Sequence, residues 1–182
     1  MTSPAPTSTL QTRLADGSLA GQWTLDPARS TVALQSKSMW GLAPVKGTFG
    51  EVSGDVTITP AGEASGTITI DAASVDTKMK KRDDHLRSAD FFETDAYPHI
   101  TFTASGVSLG DDGATVTGTL LVKDHTKPLA FPATVSAAGD DTFEVDAKVG
   151  IDRSEFGLTW SQLRMASMKN TITIHAVFTR GS

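Results

Sequence analysis

The 182-residue chain reads as an all-β domain, most simply an eight-stranded antiparallel up-and-down barrel with one short helix. Three observations carry that reading. Threonine, a strand former, occurs 25 times, and glycine, which punctuates turns and bulges, 16 times. From Gly21 onward apolar and polar residues alternate with period two in one segment after another. The segments are joined mostly by short turns, and the exposed edges of such a meander vanish most simply by closure into a barrel. A two-sheet sandwich satisfies the same alternation.

The elements follow in order. Residues 1–20, rich in Thr, Ser, Pro and Ala, are expected to form a mobile tail ahead of a domain over 21–180. Val32 and Leu34 share one strand face, with Ser36 and Ser38 continuing it. Val45 to Thr59 places Val45 and Phe49 on odd positions, then Val52, Val56 and Ile58 on even ones; a bulge or sharp bend at Gly50 explains the switch. Ile68 and Ile70 follow, then Ile100, Phe102 and Ala104. The turn Gly110-Asp111-Asp112-Gly113 leads to Val116, Gly118, Leu120 and Val122. Asp124 to Lys127 turns into Leu129, Phe131, Ala133 and Val135, and Gly139-Asp140-Asp141 into Phe143, Val145, Ala147 and Val149. Ile172, Ile174, Ala176 and Phe178 complete the set.

Two inserts break the alternation. Lys78–Ala89 is predicted as a helix with Thr77 as its N-cap, Met79 and Leu86 on one side, and Asp83 pairing with Arg87 on the solvated side. Asp90-Phe91-Phe92 closes it. Asp152 to Met168 holds Phe156, Leu158, Trp160, Leu163, Met165 and Met168, too apolar for a loose surface loop.

Composition excludes several functions. With no cysteine there is no disulfide, thiolate nucleophile or Cys-ligated metal. A net charge of −5 argues against a nucleic-acid groove or a polybasic membrane patch. No segment approaches a transmembrane span, and no basic region followed by an apolar run marks a secretory leader, so a cytoplasmic location is expected, or a periplasmic or secreted one if an upstream signal has been removed. His85, His99, His125 and His175 show no metal-ligand spacing. There is no G-x-S-x-G elbow, phosphate loop or dinucleotide fingerprint. No catalytic residue, metal or cofactor is assigned. Asp83 and Asp84, beside Arg82 and Arg87, read as a solvated helix face.

An eight-stranded barrel is just wide enough to be filled by side chains or to hold one small ligand. Ala72, Ala104, Gly118, Ala133, Ala147 and Ala176 lie on the apolar face, and small residues there favour a cavity, while also permitting tight curvature. Burial is worth about 0.8 kcal/mol per methylene, so a chain of about ten carbons overcomes the several kcal/mol cost of association.

Read in order, several blocks resemble a known family. They are Trp23-Thr24-Leu25-Asp26-Pro27, Val45-Lys46-Gly47-Thr48-Phe49, Arg82-Asp83-Asp84-His85-Leu86-Arg87-Ser88-Ala89-Asp90-Phe91-Phe92, Tyr97-Pro98-His99-Ile100-Thr101-Phe102 and Asp152-Arg153-Ser154-Glu155-Phe156-Gly157-Leu158. Together they resemble the YceI-like family across residues 21–180. The resemblance implies a lipocalin-like barrel with a helix near its opening and a long apolar, isoprenoid-type ligand in the lumen, often in a dimeric protein. The family commonly carries a His late in the first long strand; the corresponding place here reads Ser36-Lys37-Ser38-Met39-Trp40.

The resulting expectation is a non-catalytic protein that binds a hydrophobic small molecule such as a polyisoprenoid or isoprenoid quinone. The competing readings are an enzyme acting on an apolar substrate beside Ser36 or Ser38, and a solid-cored partner-binding module. The expected ligand contacts are Leu34, Ser38, Phe49, Ile70, Phe102, Leu120, Phe131 and Ile174 in the lumen. Trp40, Met79, Leu86, Phe91, Phe92, Phe156 and Trp160 are expected in its closure.

Overall fold

The structure, a computed structural model, describes residues 12–37, 44–89, 91–110, 113–137, 139, 141–156 and 169–180. Its strands are β1 (Gly21–Leu25), β2 (Thr31–Lys37), β3 (Pro44–Phe49), β4 (Val52–Ile58), β5 (Ala64–Asp71), β6 (Val75–Asp76), β7 (His99–Gly110), β8 (Gly113–Val122), β9 (His125–Ala137), β10 (Thr142–Asp152) and β11 (Lys169–Arg180). A helix, α1 (Lys80–Arg87), lies between β6 and β7.

Every pairing is antiparallel, and β1-β4-β5-β7-β8-β9-β10-β11 return to β1 in a closed ring of eight. β1 and β2 are two halves of one long strand. β11 pairs with β2 through Asn170–His175 and with β1 through Phe178–Arg180. The interruption at Asp26–Ser30 is tied to β11, because the Asp26 amide donates to the Val177 carbonyl and the Val177 amide donates to Ser30 Oγ, at 2.8 and 2.9 Å. β3 and β4 are likewise one strand bent at Gly50, where the facing parity switches as the sequence leads one to expect.

Three local features differ from the sequence reading. Gly21–Leu25 forms a strand of its own, burying Trp23 completely and Leu25 almost so. The turn before β9 contains only Lys123 and Asp124, since Val122 already pairs with His125. A true bulge lies in β7, between Ala104 and Gly106.

The expected tail is, over 12–20, a docked segment. Residues 12–15 make one helical turn and Leu19 is buried, 3% exposed. The Trp23 indole donates to the Leu19 carbonyl at 2.9 Å, and Arg180 donates to the carbonyls of Ser18 and Ala20 while its guanidinium lies 4.6 Å from the Trp23 ring centre. Trp23 in turn packs edge-on to Phe143, which stacks on Phe178. A buried indole with its N–H satisfied anchors the segment across the base of the barrel.

Gly118 marks a close approach of strands rather than open space. A Cβ built there falls 2.1 Å from the Thr103 carbonyl oxygen and 2.9 Å from Ala104 Cα. Gly106, across the bulge, has nothing within 4 Å of the same position. Gly118→Ala is expected to destabilise the protein by about 2 kcal/mol, whereas Gly106→Ala stays within about 0.5 kcal/mol of wild type. Urea unfolding of the two variants checks this.

Candidate functional site

The parity of the strands sends one face of every wall inward. Those side chains line a cavity of about 390 Å³ that runs from the base to α1. Its wall is almost entirely hydrocarbon. Leu14, Leu19, Ile58, Leu109 and Phe143 surround the base; Val56, Ile68, Ile70, Phe102, Val116, Phe131, Val145 and Ile174 form the middle; Leu34, Phe49, Leu86, Phe91, Phe92, Ile151 and Ile172 surround the end covered by α1. The volume falls within the range of small-molecule sites, and an apolar cavity of that size gives water few partners. Ala104, Ala147 and Ala176 line it, so here the small inward residues do leave space. Ala72, Ala133 and Gly118 are buried outside it.

Of the ligand contacts expected from the sequence, Leu34, Phe49, Ile70, Leu86, Phe91, Phe92, Phe102, Leu120, Phe131, Phe156 and Ile174 line the cavity. Ser38, Trp40 and Trp160 lie outside the described residues. Met79 does not belong to the site: it is 52% exposed and absent from the cavity wall. Lys78 takes a left-handed conformation with φ 65°, Met79 stays extended, and the helix starts only at Lys80. Met79 therefore never enters the helical phase that would align it with Leu86.

The cap of α1 inverts the expected arrangement. Met79 is the residue before the helix and makes no side-chain cap. The Thr77 hydroxyl instead donates to Asp83 Oδ1 at 2.5 Å, and the Thr77 amide donates to the same oxygen at 2.8 Å. Arg82 Nε donates to Thr77 Oγ1, and its Nη2 to the Thr77 carbonyl, each at 2.8 Å. Asp83 is only 6% exposed and Thr77 5%. Asp83 is thus a buried tie between α1 and the strand edge, not half of a solvated pair with Arg87. Arg87 reaches Asp84 Oδ1 at 3.3 Å and donates to the carbonyls of Ala73 and Val75.

The loop after α1 is held from the far side. Lys123, in the turn between β8 and β9, lies 3.5 Å from Glu93 and 5.9 Å from the centre of the Tyr97 ring. Phe92 meets Phe49 edge-on at 6.0 Å, and Phe91 meets His85 at 5.4 Å. These contacts seat Phe91, Phe92 and Leu86 over the cavity.

Polar atoms reach the wall mainly at this same end, from Thr77, Arg82, His85 and Asn170. Asn170 is 9% exposed and shares the inward parity of Ile172 and Ile174. It was legible as the polar member of an inward series, yet the sequence reading placed inward polarity only at Ser36 and Ser38. The His175 ring pairs with Asp146 across β10 and β11 at 2.6 Å. Among the described residues no three His, Asp or Glu side chains converge to hold a metal ion, and no helix is long and apolar enough to cross a membrane.

Two carboxylates around α1 are held below the ordinary aspartate range. For Asp84 the cause is first the hydrogen bond from Lys80, then the charges of Lys80 and Arg87; for Asp76 it is first the Lys78 amide, then the Lys78 side chain. Both groups favour the folded state while ionised, and that contribution is lost as the pH falls below the ordinary aspartate range. Both are exposed, so the effect is small and screened by salt. NMR titration is expected to give midpoints below that of a free aspartate, moving back toward it in concentrated salt.

The barrel and its lining have known counterparts. Residues 23–179 match the YceI-like domain. Protein YceI of Escherichia coli O17:K52:H18 is 36% identical over 118 residues, 60% of this chain and 62% of that protein. Protein YceI of Salmonella arizonae is 32% identical over 128 residues, covering 65% and 66% respectively. The match thus spans just under two thirds of the length of these relatives. Among solved structures, BcnA of Burkholderia cenocepacia superposes with a TM-score of 0.76 at 31% identity, over 84% of this chain and 98% of that one. A domain from Saccharophagus degradans, described as polyisoprenoid-binding and implicated in plant cell wall breakdown, superposes at 0.71 over 87% and 98%; at 21% identity that likeness is one of fold. A closed eight-stranded barrel, an inward apolar lining and a domain match along nearly its whole length place this chain in the YceI-like family.

Proposed function

We propose that the protein is a non-catalytic carrier that sequesters a long apolar molecule, a polyisoprenoid, isoprenoid quinone or similar lipid, inside the barrel. The observation that carries this reading is the cavity of about 390 Å³, lined by hydrocarbon from base to α1. An apolar chain gains from every methylene it removes from water there, about 0.8 kcal/mol each. The lining also reaches from Leu14 at the base to Phe91 beside α1, which supports a chain over a compact ligand. The polar end of such a molecule sits beside Arg82, His85 and Asn170, whose polar atoms at the wall can hydrogen-bond it. The described relative from Saccharophagus supports the fold; the ligand class rests on the cavity itself.

The proposal places the carrier in the cytoplasm, as a homodimer. Fractionation of the producing cells tests the first, and sedimentation of the full chain tests the second. The function is tested by purifying the protein without detergent, extracting it with organic solvent and analysing the extract by mass spectrometry. A stoichiometric isoprenoid or other long-chain lipid is expected. An empty extract, together with no binding of added prenols, quinones or fatty acids, would overturn the reading.

A further inference from the structure

Extending that reading, we infer that the docked segment over 12–20 is the floor of the cavity, with Leu14 as the stop that sets the longest apolar chain the protein accepts. The strands leave the base open in themselves: nothing in an eight-stranded ring closes its own end. What lies across this end is the N-terminal segment, and both Leu14 and Leu19 form part of the cavity wall.

The two leucines are held differently. Leu19 is the fixed point, 3% exposed, with its carbonyl bound by the Trp23 indole and the carbonyls on either side of it bound by Arg180. Leu14 stands five residues earlier in a single helical turn, half-buried, closed by backbone bonds from Asp16 to Thr12 and from Gly17 to Leu14. Its backbone rests on the turn between β4 and β5. Gly62 there has φ +89°, and a Cβ on it would come within 3.1 Å of the Leu14 carbonyl oxygen. The close approach of turn and segment fixes how deep Leu14 sits, and a glycine is what that approach requires.

Two consequences for the ligand follow. The floor presents only aliphatic carbon, so the end of the molecule that reaches it must be a hydrocarbon terminus, with the polar end toward α1. Depth is set by one side chain, so chain-length preference is a property of Leu14 rather than of the barrel. β11 has 12 residues, which span roughly 30 Å along the axis at the usual barrel tilt, and that distance is the ruler the floor terminates.

The test uses the full chain and a ladder of prenols: geraniol, farnesol, geranylgeraniol and solanesol. Affinity in wild type is expected to rise along the ladder and then stop rising at one member. Leu14→Ala should move that limit to a longer prenol, raising affinity for the first excluded member about tenfold. Leu14→Trp should move it to a shorter one, while Thr119→Glu, on the outer face of β8, should leave the whole ladder unchanged. Thermal unfolding confirms that each variant is folded; if Leu14→Trp is not, Leu14→Ala decides alone, since it only removes atoms from a half-buried site. An unchanged limit in a folded variant overturns the stop while leaving the carrier intact. Failure of wild type to bind any prenol or other long-chain lipid overturns the carrier reading and the stop with it.

Discussion

Replacing Leu120 by glutamate is expected to empty the barrel and to cost about 4–5 kcal/mol of stability. Leu120 is 7% exposed and lines the middle of the cavity wall. The substitution removes packing worth about 2–5 kcal/mol and puts a carboxyl across from Phe102 in a wall of hydrocarbon. Burial raises the pKa of the introduced group, so its neutral form is the tolerated one. The loss of stability is therefore smallest below the ordinary glutamate range and grows as the pH rises through it. Thr119, one residue earlier, faces solvent on β8. Thr119→Glu should stay within about 0.5 kcal/mol of wild type and keep its ligand. Denaturant unfolding at two pH values and lipid extraction measure both variants. Equal behaviour would show that the inward and outward faces of β8 are wrongly assigned.

Asp83→Ala is expected to cost about 3–4 kcal/mol and to loosen the cover of the cavity. Asp83 accepts the Thr77 amide and hydroxyl, and the same hydroxyl receives Arg82. Removing the carboxylate leaves a buried N–H and a buried O–H short of an acceptor and frees the hydroxyl that receives Arg82. Asp83→Asn keeps an oxygen at the same place and should recover more than half of the loss. Hydrogen exchange locates the effect: the Thr77 amide and the amides of α1 should lose protection in the alanine variant, while the strands β7 to β10 keep theirs. Uniform loss across the barrel would mean that Asp83 supports the whole fold rather than this one cover.

The sheet was the most legible part of the protein because period two is a local signal that burial amplifies. Where Val116, Leu120 and Val122 alternate with Thr115, Thr117 and Thr119, the structure buries the first set and exposes the second. The corner at Gly50 was legible as a parity switch for the same reason. The cover was less so. Thr77 followed by a helix looks like a cap, and only the position of Asp83, the fourth residue of α1, turns the bond around. Lys78 with a positive φ could not be read from a lysine. The floor was missed because Leu14 and Leu19 carry no periodicity of their own. Their partners, Gly62, Trp23 and Arg180, are distant in sequence. Small residues on the inner face were ambiguous in principle: Ala147 leaves room, while Gly118 admits a neighbouring backbone.

The double pairing of β11 also governs when the protein can exist as a container. Trp23 meets Arg180 in the register that shuts the ring, so the closing contact joins residues near opposite ends of the described chain. Contacts so far apart in sequence make folding slow, because a long loop must be closed before anything is gained. During synthesis β1, β2 and β10 wait with unpaired edges until β11 is made, and apolar faces meant for the lumen stay in water until then. On the proposed function, a lipid can load only once β11 is in place, and an early hydrophobic ligand would meet an open sheet rather than a vessel.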